Sequence, residues 1–374
     1  MLKKLKPIIP AIAFLLVIFI LSASLFLLPK KEFSENEKRI LAKSPEFSLE
    51  ALADGKFTKD LESFVSDQFS LRDFFVGVNS YFNLLCGRNS TAPVYYGKDG
   101  YLIGAPADLS TDTALKNIQK FSEFAGENNL KATIIAVPQC GYVMDDKLPK
   151  VHNEYTDGEI FDIIAENKGE MAFIDVRENF EATKNDVQLY YKTDHHITSA
   201  GAFEIYKIFA AEKGLNVTND YEIKTEPDFY GTSYSKSGYW LSDPDEIEMW
   251  HNSSIKVNVE ITEPGKDVVK NDSVFFTDRL DEADKYPVYL DGNHSLTKIT
   301  NPDAKGGKIL IIKDSFAHCF TGFLAEQYSE IYMVDMRYYR TPVSELVKEN
   351  NITEVLYLYG TESIGTDTNS SWLS

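Results

Sequence analysis

Five short runs of apolar, β-favouring residues limit the fold more than anything else in this chain: KATIIAVP (131–138), MAFIDV (171–176), KILIIKD (308–314), IYMVD (331–335) and EVLYLYG (354–360). Each is too short for a buried helix and lacks the polar alternation of a half-exposed strand. Each therefore reads as a strand covered on both faces. Helical patterns over 111–127, 157–168, 199–213 (ended by Gly214), from Phe316 onward and 342–350 separate them. Strands alternating with helices predict an α/β fold, a mostly parallel sheet between two helical layers. In such sheets ligands gather beyond the C-terminal strand ends. VYYGKDGYLIG reads as a hairpin turning at Lys98-Asp99-Gly100, and 220–305 as an irregular stretch with short strands such as SIKVNVEI.

The N-terminus sets the compartment. Residues 8–28 are free of charge, long enough to cross a hydrocarbon core of ~30 Å. Lys3, Lys4 and Lys6 precede them and predict a cytoplasmic 1–7, a single-pass signal-anchor over 8–28 and an extracytoplasmic body. A cleaved signal peptide is the alternative: Ser22-Ala23-Ser24 has the small residues of a cleavage site, although Leu25–Leu28 continues the apolar run. Outside the cytoplasm, ATP, NADH and acetyl-CoA are not freely available, so a group-transfer reaction there draws its donor from the membrane or a partner. Residues 29–90 read as a helical connector, with Phe57, Leu61, Phe64, Val65 and Phe69 at helical spacing and expected to be covered, and 91–374 as the main domain.

Charge narrows the function classes. The net charge is −19, and residues 1–31 carry five lysines and no acid, leaving 33 bases against 57 acids in the remainder. No basic face for nucleic acid is visible. Three cysteines, with no CxxC or Cys/His ladder, argue against a disulfide scaffold or structural zinc.

Two segments hold residues suited to chemistry. In KILIIKDSFAHCF, Ser315 follows a buried strand and opens a helix, where helix N–H groups stabilise an oxyanion. The plain alternative is that Asp314 or Ser315 only caps the helix. In YYKTDHHITSAGAF, Asp194, His195 and His196 precede a helix capped by Thr198 or Ser199. Residues i and i+2 of an extended segment share a side, so Asp194 can orient His196 while its other ring nitrogen takes a proton from a serine. His195 then points elsewhere. A metal site or a purely structural pair competes with this reading. A metal needs further ligands, no patterned set is present, and neither metal nor cofactor is expected. Cys140 reads as a small buried residue rather than a nucleophile.

The TDHHIT segment resembles the signature of the DHHW proteins, which are similar to the SGNH-hydrolase-like domains of alginate O-acetyltransferases of the AlgX and AlgJ type. The resemblance extends through FSENEKRILAKSPEFS, LADGKFTKDLESFVSDQFSLRD, VYYGKDGYLI, DFYGTSYSKSG, YLDGNHSLTKITNP and KDSFAHCFTGFLAEQYSEIYMVDMRYY. It implies a three-layer α/β/α, flavodoxin-like SGNH domain. It also implies a triad of Ser315 as nucleophile, His196 as base and Asp194 as orienting acid, with the acid–base element preceding the serine. Arg337 and Tyr338 match a block near the site in relatives. Asn293 matches the oxyanion asparagine of SGNH enzymes, with a turn residue as the alternative. This chain departs from the pattern at Ile197, which replaces the tryptophan of the family name. It departs again at His318, where a small polar residue such as Asn is expected; a second polar contact or a helix-surface histidine are its two readings.

The function expected is a membrane-anchored O-acetyltransferase acting on an exported or cell-surface glycan, with a multispanning O-acyltransferase as the acyl-donor partner. The alternatives are a carbohydrate acetylesterase using the same triad, and a non-catalytic glycan-binding or scaffolding protein on the same fold.

Overall fold

The computed structural model describes residues 8–91 and 93–373. The expected cytoplasmic segment 1–7, with Lys3, Lys4 and Lys6, lies outside the described residues, as do Ala92 and Ser374. The chain divides into two compact units: Met1–Thr91 with Gly238–Leu241, and Ala92–Ser237 with Ser242–Ser374.

In the first unit, α1 (Ile9–Leu27) starts with proline in its first turn and buries none of its side chains. It is long and apolar enough to cross a membrane by length and composition. Helices α2 (Lys56–Gln68) and α3 (Arg72–Leu85) follow. Asp67 of α2 accepts from the Arg39 guanidinium at 2.9 and 2.5 Å and from the Ala42 N–H at 2.8 Å, tying the preceding loop down. The connector is helical as its spacing predicts, but α2 fully buries no side chain. Of the stripe, Phe57, Phe64 and Phe69 are half-buried and Leu61 and Val65 exposed.

The second unit is built on one eight-stranded sheet. In chain order its elements are α4 (Thr111–Glu127), β1 (Lys131–Val137), α5 (Asp157–Asn167), β2 (Ala172–Asp175) and α6 (Ser199–Lys213). Strands β3 (Asn258–Thr262), β4 (Val269–Asn271), β5 (Leu296–Thr300) and β6 (Gly306–Lys313) come next. Helix α7 (Ala317–Leu324), β7 (Tyr328–Val334), α8 (Val343–Asn350) and β8 (Glu354–Gly360) complete it. The strand order is β4-β3-β5-β7-β6-β8-β1-β2. From β7 to β2 the pairing is parallel, whereas β5, β3 and β4 add on antiparallel.

The two halves of the sheet bury differently, as their sequences require. Ile309 through Ile312 of β6 are all buried, as are Val355 through Leu358 of β8. Consecutive buried residues point to both faces, so helices cover both sides, and the fold is the expected α/β/α sandwich. On one group of helices, Phe121 of α4 stacks on Tyr357 of β8 with ring centroids 4.3 Å apart. In another, Tyr206 and Phe209 of α6 meet Phe320 of α7. By contrast β3 alternates, burying Val259 and Ile261 between exposed or half-exposed neighbours. The stretch expected to be irregular thus extends the sheet, and it also contributes a hairpin of Glu222–Phe229 on Asp245–His251.

The chain leaves β6 for β7 on one side and returns to lay β8 on the other. The strand order therefore turns around β6, the kind of place where parallel sheets open a crevice for ligands. Ser315 stands two residues beyond its end.

Candidate active site

Asp314 and Ser315 divide the two roles open at the end of β6. Asp314 is buried; its Oδ1 accepts from the Phe316 N–H at 3.0 Å, and its Oδ2 from the Gly360 N–H at 2.8 Å and the Ser363 hydroxyl at 2.7 Å. Burial pushes its carboxyl above the usual carboxylate range, against the pull of those donors. Asp314 thus locks the turn to the end of β8. The Ser315 hydroxyl caps nothing and instead lies 2.7 Å from His196 Nε2. Among the described residues the Ser315 N–H has no backbone or side-chain acceptor, so it is available to an incoming oxyanion.

His196 sits in a loop pinned from outside. Buried Asp245 accepts from the Lys192 N–H at 2.9 Å, and from the Thr193 N–H and hydroxyl, both at 2.7 Å. Thr198 then caps α6 through the Gly201 N–H at 3.0 Å. Between these anchors the chain bends rather than running extended. Asp194 meets His196 because one carboxylate oxygen accepts both the His196 backbone N–H (2.9 Å) and Nδ1–H (2.5 Å). Its other oxygen accepts the Thr232 N–H at 2.6 Å. That last bond needs Gly231, because a Cβ there would collide with Asp194.

Burial alone would raise the Asp194 carboxyl. The His196 and His195 imidazoles and the bonds it accepts instead hold it well below the usual range. An ionised Asp194 only accepts, so His196 carries its proton on Nδ1 and presents the Nε2 lone pair to Ser315. The ring is clamped as well: Tyr286 stacks on it at 3.9 Å with 9° between planes, and Phe316 meets it edge-on at 5.4 Å. The Tyr286 hydroxyl donates to the Ser315 carbonyl at 3.2 Å. His195 does not point away as expected. It lies 3.8 Å from the His196 ring and bonds the Thr232 hydroxyl through Nδ1 at 2.6 Å.

The remaining predicted residues form a second cluster. His318 is buried, so its reading as a helix-surface histidine is overturned. The reason is Lys313, the last residue of β6, whose buried ammonium donates to His318 Nε2 at 2.8 Å, to Asp335 at 3.2 Å and to Asn293 Oδ1 at 3.3 Å. Asp335 also accepts Arg337 Nε at 2.8 Å and Nη2 at 2.6 Å. Arg337 Nη2 in turn donates to Asn293 Oδ1 at 3.0 Å. Asn293 follows a turn of three left-handed residues, Leu290, Asp291 and Gly292. With its oxygen on the two cations, its side-chain NH2 is left to donate elsewhere. Tyr338 is exposed, with the Arg337 guanidinium 5.6 Å from its ring, and the structure does not bond it to the Ser315–His196–Asp194 set.

Asp194, His195 and His196 place ligand atoms within 4.8 Å of one another. Both nitrogens of His196 are already engaged, so a cation there would have to displace the serine contact. Cys140 is buried, and burial raises its thiol well above the ordinary range, as befits an inert residue. It lines a cavity of about 60 Å³ together with Val137, His195, Phe316 and Gly360.

Sequence reasoning missed Tyr286, Asp245 and Lys313. Only Lys313 left a signal: a lysine closing a run in which every other residue from Ile309 is apolar.

The DHHW protein family model matches residues 158–334, a span that includes Asp194, His196, Asn293, Ser315 and His318. No curated protein sequence matches the chain. Among solved structures, a DHHW family protein from Eubacterium siraeum is similar with a TM-score of 0.64 at 24% identity, over 75% of this chain and 95% of that one. Bacillus cereus PatB1, solved with a sulfonyl adduct, gives 0.64 at 20% identity over 74% and 97%. The O-acetyltransferase domain of Pseudomonas putida AlgJ is more distant, at 0.46 and 13% identity, too loose a likeness to bear on chemistry. Residues 158–334 of this chain thus match the DHHW protein family, within a fold shared with a solved DHHW protein.

Proposed function

We propose that this protein is an extracytoplasmic O-acyltransferase, anchored by residues 8–28 and joined by a connector over 29–90 to a catalytic domain over 91–374. It moves an acetyl group onto a hydroxyl of an exported or surface glycan. The observation that supports this best is the relay from Asp194 through His196 to Ser315, with links of 2.5 and 2.7 Å, at the C-terminal end of a central parallel strand.

His196 Nε2 takes the Ser315 proton as Oγ attacks the acyl carbonyl, and returns it to the donor's leaving oxygen as that bond breaks. The acyl-serine then meets an acceptor hydroxyl, whose proton passes to His196 and on to Ser315 Oγ as the ester is handed over. The Ser315 N–H and the Asn293 NH2 are the donors suited to the oxyanion. A donor drawn from the membrane calls for a multispanning acyl-transfer partner. Residues 92–374 carry 26 bases against 47 acids, which favours a neutral acceptor over a strongly anionic one.

The test is turnover of 4-nitrophenyl acetate by wild type and Ser315→Ala. The variant is expected to lose activity by about 10⁴-fold or more while keeping its circular dichroism spectrum, and a sulfonyl fluoride should add one sulfonyl group to wild type only. Equal rates, or equal labelling of both, would remove Ser315 from the mechanism. With an acetyl donor and a neutral oligosaccharide, an acetylated sugar seen by mass spectrometry supports transfer. Free acetate alone supports the esterase, and no turnover with retained glycan binding supports a scaffold.

A further inference from the structure

Helix α3 has two unlike faces. On one, Gly77 and Ser80 are buried beneath the short segment Gly238–Leu241 of the same unit. Trp240 Nε1 donates to the Asp73 carbonyl at 2.8 Å, Tyr81 packs edge-on against Tyr239 at 5.7 Å, and a Cβ on Gly77 would stand 2.9 Å from the Trp240 ring. The other face bears Leu71, just before the helix, then Phe74, Phe75, Val78, Phe82 and Leu85, all exposed, from 42% at Phe75 to 86% at Leu85. Steps of three and four residues align them in one stripe along the helix, and none of them is charged. An uninterrupted apolar surface of this kind marks an interaction site.

The neighbourhood of the stripe indicates what covers it. Its Leu71 end is tied to the last turn of α1. The hydroxyls of Ser24 and Ser70 are 2.6 Å apart, Gln68 and Lys31 exchange hydrogen bonds of 2.8 and 3.1 Å, and the Lys30 ammonium lies 5.7 Å from the Phe64 ring. Ser24 is four residues short of the end of the apolar run at Leu28. If α1 spans the bilayer, the start of α3 therefore sits where acyl chains give way to headgroups. Residues 30–91 carry nine bases and ten acids, so this segment approaches a lipid surface without the repulsion expected of the acidic second unit.

We propose that α3 lies on the outer surface of the membrane, with its stripe sunk into the boundary between headgroups and acyl chains, as a second lipid contact beside the anchor. This rests on the anchored reading of α1 given above.

Cys86 ends the stripe and is the exposed one of the three cysteines, Cys140 and Cys319 being buried. The full-length protein, labelled at Cys86 with an environment-sensitive fluorophore and reconstituted in phosphatidylcholine vesicles, tests the proposal. A 14-residue helix is about 20 Å long, so the label reports whether the far end of α3 lies on the surface or rises away from it. The expected result is a blue-shifted emission quenched at least ~twofold by lipids spin-labelled near the headgroup. A Phe74→Asp/Phe82→Asp variant should lose that quenching yet resist an alkaline wash and retain esterase activity. An unquenched label on washed, membrane-retained wild type would overturn the proposal while leaving the anchor standing. A label shielded only after a membrane-protein partner is added would assign the stripe to that partner instead. Release of the wild type by the wash would remove the anchored reading and this one with it.

Discussion

Two buried imidazoles flank the turn after β6, and they face opposite charges. His196 stands between the Asp194 carboxylate and the Ser315 hydroxyl. His318 accepts from the Lys313 ammonium, and its Nδ1–H finds no partner among the described residues. Burial is similar, at 6% and 2% exposure, so burial does not separate them. The partner does: a carboxylate leaves the far nitrogen free to accept a proton, whereas an ammonium has already used the lone pair that a base needs. A base is recognised by what lies behind it, and His196 is the one of the two equipped for the work.

The largest effect that would break this contrast is on turnover. Asp194→Asn turns an amide NH2 toward Nδ1, favours the wrong tautomer of His196 and should lower kcat by about 10⁴-fold. His318→Leu, by contrast, should leave kcat within about tenfold of wild type, because the loss of one polar contact is modest. Steady-state ester hydrolysis measures both, and comparable losses would erase the distinction. Next in size is a stability effect confined to the second cluster. Lys313→Met leaves Asp335 buried with Arg337 as its sole cationic partner and should cost about 3 kcal/mol by urea denaturation, and a neutral result would mean the cluster does not support the fold.

Tyr286 sharpens the picture at smaller scale. Tyr286→Ala removes the ring stacked on His196 and should lower kcat by about tenfold, whereas Tyr286→Phe keeps the stack, loses the hydroxyl's 3.2 Å bond to the Ser315 carbonyl and its 4.0 Å contact with Cys319 Sγ, and should stay within about threefold of wild type. Equal losses would shift the role from the ring to the hydroxyl.

The smallest effect is a slope. Burial, and after it the Lys313 ammonium, hold His318 well below the ordinary imidazole range, so it stays neutral in the fold. The unfolded chain takes up that proton below about pH 6.5. Stability from this residue is therefore complete above that pH and declines as pH falls toward the folded value, by about 1.4 kcal/mol per pH unit at most. His294 works in the opposite sense. Despite burial, Asp291 and Glu263 raise it, so its contribution is present at low pH and fades as pH rises. Denaturation midpoints of wild type and His318→Leu across pH 5 to 7.5 isolate the first slope, and parallel curves would show that His318 is not its source.

Much of this arrangement was legible in the chain, for identifiable reasons. Helices α4 and α6 match their expected limits because Ser110 and Thr198 cap them and Gly214, in the left-handed region, ends the second. All five apolar runs became parallel strands, four of them buried along most of their length, whereas β2, at the edge of the sheet, buries only Ile174 of its four residues and is not covered on both faces as expected. Of the antiparallel strands, β3 was legible in SIKVNVEI, whereas β4 and β5 bury one face at most, so their polar residues, as at Lys298 and Thr300, read as loop. The pairing of Asp194, His196 and Ser315 was visible as residue types at strand and helix junctions. Its supports were not: Asp245 and Tyr286 reach the site from far along the chain, and nothing local in sequence marks such contacts.

The strand order also bears on when the site comes into being during synthesis. β8 pairs with β6 on one side and β1 on the other, so it alone joins the half of the sheet holding β1 and β2 to the half holding β6 and β7. Until residue 360 has emerged, the serine's strand has no parallel neighbour toward β1, and Asp314 lacks the Gly360 and Ser363 donors that set its turn. A chain not yet complete to this point therefore carries a Ser315 whose turn is not yet held, and the Ser315–His196–Asp194 geometry arises late, as a property of the finished sheet.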